Sequence, residues 1–262
     1  MLNSLRKFSL GSAFSLLLIS PALAEPQLPE GYSGTILVHE THSGQDMGWH
    51  SQYWDRASLP ASTYKIPHSV IALETGVMPE STTVLPWDGK TRAIAAWNRD
   101  QSFASALSSS CVPCYQQIAR RIGLSRMQAW LRELDFGTMH PEEQIDQFWL
   151  TGASRVTPRQ QTRFLKRLAT RQLSVSERSQ NVVEQMLLQD SGPGWRLYAK
   201  TGWAGFMSTP EQTGWYVGYL KSGGKTYAFA TQIQATDPDP AVFGPLRRQI
   251  TLDYLREQKL LP

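Results

Sequence analysis

The 262-residue chain is short of the residues that build cofactor centres and membrane or nucleic-acid surfaces. It has two cysteines, Cys111 and Cys114, and no second cluster that would complete a zinc site around them. A thioredoxin-like pair needs a βαβ context, and none precedes Cys111. Two buried thiols, a local disulfide and a redox pair remain open readings of this C-x-x-C. His39-Glu40-Thr41-His42 spaces its histidines by three, whereas H-E-x-x-H zinc enzymes need four. No metal and no nucleotide cofactor is expected. After the first two dozen residues no apolar run approaches the roughly 20 residues of a membrane span. Basic residues are dispersed, as in Arg120-Arg121 and Arg247-Arg248. The formal charge of +4 falls to 24 basic against 22 acidic residues once Arg6 and Lys7 are set aside, which argues against a nucleic-acid partner. Internal repeats and low-complexity tracts are missing too.

The start of the chain has the pattern of an export leader. Arg6 and Lys7 precede a short apolar stretch from Leu10 to Ile19, and Ala22-Leu23-Ala24 offers small residues for cleavage. Residues 1–24 are therefore expected to be a signal peptide, with a periplasmic product beginning at Glu25 and no membrane attachment after cleavage. Residues 25–262 suffice for one domain, or for two closely packed parts. The choice between monomer and homodimer stays open.

Periodicity predicts strands at both ends with helices between. Residues 33–39 read as a strand, and Met47 to Trp54 as its hairpin partner. Residues 80–195 read as a mostly helical subdomain. Its segments are Pro113 to Gly123, Ser125 to Leu134 with Ser125 as N-cap, Pro158 to Leu173 and Ser176 to Gln189. Arg196 to Thr201, Trp215 to Leu220 and Thr226 to Ile233 read as strands, the last two joined at Ser222-Gly223-Gly224. Pro245 to Gln258 reads as a terminal helix. One sheet built from both termini is implied, with the helical part inserted.

Ser62-Thr63-Tyr64-Lys65 stands at the head of an apolar-periodic run, Ile66, Val70, Leu73 and Val77. A serine hydroxyl is a poor nucleophile unless a base takes its proton, and residues three apart share a helix face. The same spacing occurs at Ser4–Lys7 and Ser222–Lys225, but in the leader and in a Gly-Gly turn. A single Lys200-Thr201-Gly202 completes the S-x-x-K and K-T-G combination of penicillin-recognising serine enzymes. Pro60 to Pro67, followed by Leu73-Glu74-Thr75-Gly76, resembles the active-site helix of class D (oxacillinase-type) β-lactamases. Ser110-Cys111-Val112 is similar to that family's S-x-V. Phe148-Trp149-Leu150 is similar to its tryptophan segment, Lys200-Thr201-Gly202-Trp203 to its K-T-G strand, and Pro245-Leu246-Arg247 to its arginine segment.

The resemblance implies a transpeptidase-like α/β (α+β) fold, with an antiparallel sheet flanked by terminal helices and an all-helical subdomain. It implies β-lactam antibiotics as partners and Ser62 as the acylated nucleophile. It further implies Lys65 as a base carrying carbon dioxide as a covalent carbamate, to which the Trp149 indole donates. Val112 and Leu150 would wall that pocket. Ser110 would relay a proton to the lactam nitrogen, supported by Lys200. The backbone N–H groups of Ser62 and Trp203 would form the oxyanion hole, and Thr201 and Arg247 would hold the substrate carboxylate. A peptidoglycan carboxypeptidase or transpeptidase, or a β-lactam sensor that stays acylated, is the competing reading. Phe136-Gly137-Thr138 stands where the family has Y-G-N, which implies weak inhibition by chloride and points to slower deacylation or a narrower substrate range.

Overall fold

The computed structural model describes residue 26, residues 28–206 and residues 208–262. The expected leader and its cleavage site lie outside the described residues. β1 (Ser33–Glu40) pairs with β2 (Asp46–Trp49), which is shorter than expected and gives way to a 3-10 turn at Ser51–Tyr53. A second 3-10 turn, Ala61–Tyr64, runs into α1 (Lys65–Glu74). Two short strands, β3 (Val84–Leu85) and β4 (Gln101–Ser102), pair with each other ahead of α2 (Phe103–Ser108). α3 (Val112–Ile122), α4 (Leu124–Leu134), α5 (Pro158–Ala169) and α6 (Glu177–Leu187) follow. The chain then returns to strands: β5 (Leu188–Gly192), β6 (Trp195–Ala204), β7 (Glu211–Ser222) and β8 (Lys225–Thr236). α7 (Pro240–Glu257) ends the fold.

The sheet order is β2-β1-β8-β7-β6-β5, antiparallel throughout. The first strand thus lies beside the last, as strands at both ends of the sequence had implied. Side chains alternate across a strand, so β7 feeds two cores. Trp215, Val217 and Tyr219 join the core shared with the helices, while Tyr216 and Leu220 join the core under α7. Covering both faces explains why these strands read as continuous apolar runs.

Several helix boundaries differ from expectation. α4 begins at Leu124, because Gly123 (φ 78°) turns the chain directly from α3 into it and leaves Ser125 inside the helix. α5 stops at Ala169; a capping box between Thr157 and Gln160, with Pro158 in the first turn, fixes its start. The helical region ends at Leu187, since Leu188–Gly192 forms an edge strand whose side chains are largely exposed and polar. α7 starts at Pro240, capped by Asp239 through the Ala241 N–H (2.8 Å), and carries Pro245 in its interior.

Candidate active site

Ser62 sits in the 3-10 turn before α1, not in the helix itself. Side chains three apart eclipse in a 3-10 turn, so the serine and lysine still face each other. Lys65 Nζ lies 2.9 Å from Ser62 Oγ. The turn is pinned from several sides. The Ala61 N–H donates to the Trp149 carbonyl (2.9 Å), and the Trp215 indole donates to the Leu59 carbonyl (2.9 Å). Thr63 Oγ1 donates to the Pro60 carbonyl (2.7 Å) and accepts from Gln161 Nε2 (2.7 Å). Ala61 has φ 47° and Ser110 has φ 54°, a region costly for residues with a Cβ. These two strained backbones, one beside Ser62 and one at Ser110 itself, leave no signature in the sequence.

Lys65 is fully buried. Burial first, and the charge of Lys200 second, hold its amine well below the usual lysine range. Lys200 is 6% exposed and donates to the Thr201 carbonyl (3.0 Å) and Oγ1 (3.3 Å). Burial and the nearby Arg247 bring it down to about 7. Arg247 is half-buried, whereas the neighbouring Arg248 is exposed. The Arg247 guanidinium stands 5.1 Å from the Trp203 ring, and its Nε and Nη1 are buried without a partner. Burial lowers it to about 10. No carboxylate is among the groups acting on any of these three cations. The charges that Lys200 and Arg247 carry when protonated suit this part of the site to an anionic ligand.

Gly202 lets β6 approach the nucleophile's turn. A Cβ there would lie 2.9 Å from Thr63 Cγ2 and 3.1 Å from the Pro60 carbonyl oxygen. Trp203 follows, its indole donating to Gln212 Oε1 (2.5 Å) and its ring packed on Phe206 and Phe243.

Trp149 is fully buried, and its indole N–H has no partner. Its ring stacks on Tyr64 (5.5 Å), whose hydroxyl donates to Met127 Sδ (3.1 Å). Phe136 is buried against Tyr64 and Phe164, so it serves as packing behind this stack. Thr138 exchanges two backbone hydrogen bonds with Arg155, both 2.8 Å. Val112 opens α3 and is half-buried, and Leu150 is half-buried against the helical core.

Cys111 and Cys114 are joined in a disulfide, with Cα atoms 5.3 Å apart, which excludes the reading of two buried thiols. It closes the first turn of α3 immediately after Ser110. Trp97 anchors the same loop through its indole, which donates to the Ser109 carbonyl (3.0 Å). Glu40 of the His39–His42 segment instead accepts the His42 and Ser43 N–H groups, a turn-closing role.

Sequence reasoning missed His68, Ser69 and Tyr115. Ser69 Oγ donates to the Lys65 carbonyl (2.7 Å) and meets the Tyr115 hydroxyl (2.7 Å), which brings α3 against α1. The Tyr115 ring lies 5.3 Å from Lys65 Nζ. The only sequence signal for His68 was its place three residues after Lys65.

A serine in contact with a fully buried lysine, beside a K-T-G strand of an antiparallel sheet backed by a helical region, has the form of a transpeptidase-like serine enzyme. The penicillin-binding protein transpeptidase domain matches residues 32–251. The chain is 38% identical over 229 residues to β-lactamase OXA-48 of Klebsiella pneumoniae, covering 87% of this chain and 84% of that one. It is 37% identical over 205 residues to OXA-10 of Pseudomonas aeruginosa, covering 78% and 76%. The crystal structure of the class D β-lactamase YbXI from Nostoc superposes with a TM-score of 0.82 at 36% identity, covering 88% of this chain and 95% of that one. The chain belongs to the class D β-lactamases, serine hydrolases of the β-lactam amide bond.

Proposed function

We propose that Ser62 Oγ attacks the lactam carbonyl, forming an ester as the C–N bond breaks, and that a water later hydrolyses that ester. The observation that carries this is the 2.9 Å contact between Ser62 Oγ and a lysine Nζ that is fully buried. At that distance a base carried on Lys65 can take the hydroxyl proton, as general base catalysis requires. Ser110 relays a proton to the departing nitrogen, and Lys200 supports the transfer electrostatically. The N–H groups of Ser62 and Trp203 receive the oxyanion.

The residues around Lys65 also fit a carbamate. A desolvated amine is the form that adds carbon dioxide, and the unpartnered Trp149 indole N–H is a donor ready for an anion. Carried on Lys65, the carboxylate supplies an anionic base for acylation and deacylation. Val112 and Leu150 restrict water around it. We place the reaction in the periplasm, in a single catalytic domain of residues 25–262 that follows a cleaved leader. Among the described residues no helix is long and apolar enough to cross a membrane.

Hydrolysis of a chromogenic cephalosporin, with and without bicarbonate, tests this reading. Turnover is expected to fall as the pH is lowered, because protonation removes the reactive amine, and to recover when bicarbonate is added. Stoichiometric labelling without turnover would instead favour a transpeptidase or a sensor.

Thr201 and Arg247 hold the substrate carboxylate, through an arginine fork matched to it. Arg247→Ala is expected to raise KM for penicillins roughly ten- to a hundredfold, the value of a lost hydrogen bond to a charged group. Arg248→Ala is expected to leave KM unchanged. Steady-state kinetics on both variants checks the assignment.

A further inference from the structure

Trp149 shares its lack of a hydrogen-bond partner with the ring it packs against, His68. It follows Lys65 by three residues on α1, so the two share a helix face. It is fully buried, and neither ring nitrogen has a hydrogen-bond partner. Three aromatic rings box it in, with centroids at 5.4 Å (Tyr64), 5.2 Å (Tyr115) and 5.3 Å (Trp149). None of them hydrogen-bonds to it. The Tyr64 hydroxyl is committed to Met127 and the Tyr115 hydroxyl to Ser69. Burial first, and Lys65 second, push the imidazole down to about 3, so it stays neutral with one N–H to give. A phenylalanine would fill the same box without stranding a donor, and buried donors without partners are costly. The two unpartnered rings meet edge to face, and the charge of Lys65 acts on His68.

We propose that His68 is a positioning residue for Lys65: its neutral imidazole and the Trp149 indole together donate N–H hydrogen bonds to a one-carbon carboxylate carried on the lysine nitrogen. This rests on the reading of Lys65 as carboxylated. In forming that group, the amine lone pair makes the N–C bond to carbon dioxide. One C=O pair moves onto oxygen, and an N–H proton leaves to solvent. His68 neither gains nor loses a proton. It lowers the concentration of dissolved carbon dioxide at which the lysine is carboxylated.

The test is carbon-13 NMR of the whole protein titrated with 13C-bicarbonate, in wild type, His68→Phe and His68→Asn. Phe keeps the ring and removes both nitrogens, whereas Asn restores an N–H donor. The bicarbonate needed for half-maximal carbamate signal is expected to rise about tenfold or more in the Phe variant. Asn is expected to stay close to wild type. The kcat of each variant should follow its label at each bicarbonate concentration, with KM unmoved. Thermal unfolding confirms that each variant is folded, and His68→Leu replaces Phe if Phe does not fold. Identical bicarbonate dependence in all three proteins would overturn the proposal and leave His68 as a packing ring. No carbamate signal in wild type at any bicarbonate concentration would also overturn it, and would place the failure at Lys65 rather than at His68.

Discussion

Lys65→Ala is expected to stop the release of ring-opened antibiotic, with turnover down about a thousandfold or more, the scale of a lost general base. The amine is the only basic nitrogen within hydrogen-bond distance of Ser62 Oγ among the described residues. Removing it leaves a hydroxyl at its ordinary reactivity and no group to activate the deacylating water. Whatever ester does form on Ser62 should persist, and intact-mass measurement after exposure to a penicillin would show it as a stable adduct. Near-normal hydrolysis by Lys65→Ala would take the lysine out of the mechanism, with or without bound carbon dioxide.

Lys200→Met is expected to make the protein less active and more stable at the same time. Lys200 is held down to about 7 against an ordinary value of 10.5. A lysine whose folded value is depressed binds its proton more weakly in the native state than in the unfolded chain. Its cost to stability is therefore complete below pH about 7, shrinks as the pH climbs from there, and vanishes above about 10.5. Methionine keeps most of the stem and removes the charge. At pH about 6 the variant should melt roughly 5–10 °C higher than wild type, while hydrolysis falls about a hundredfold because the proton transfer loses its electrostatic support. The gap in Tm should close as the pH rises. A gap that is constant with pH, or a variant that melts lower at pH 6, would mean that the native state does not resist charging this lysine. Such a pairing of lost activity with gained stability is expected where like charges are forced together for function.

The reactive groups were legible in the sequence because their chemistry dictates both residue type and spacing. Ser62, Lys65, Lys200 and Arg247 could be named as candidates before any fold was known, and they lie on one turn, the start of α1, β6 and α7. The sheet was legible too, since β1, β7 and β8 are buried on both faces and rich in apolar side chains. What escaped was set by the backbone or by what surrounds a residue. β5 is an edge strand whose exposed polar side chains carry no strand signal, so the helical pattern before it ran on too far. Pro245 looked like a helix start because an internal proline is rare, yet Asp239 and Pro240 had already begun the turn. The left-handed conformations of Ala61 and Ser110 follow from the segments they join. His68 has the sequence look of any helix histidine; only its closed aromatic box shows that both nitrogens are stranded.

Gly202 carries an implication for how such an enzyme diversifies. Any heavier residue at that position would wedge the strand away from Thr63 and Pro60, and so from the nucleophile. Every descendant that still works inherits a bare hydrogen there. Variation in what is accepted must be written elsewhere, and Phe206, which follows β6 and lies 41% open to solvent, has room that Gly202 lacks.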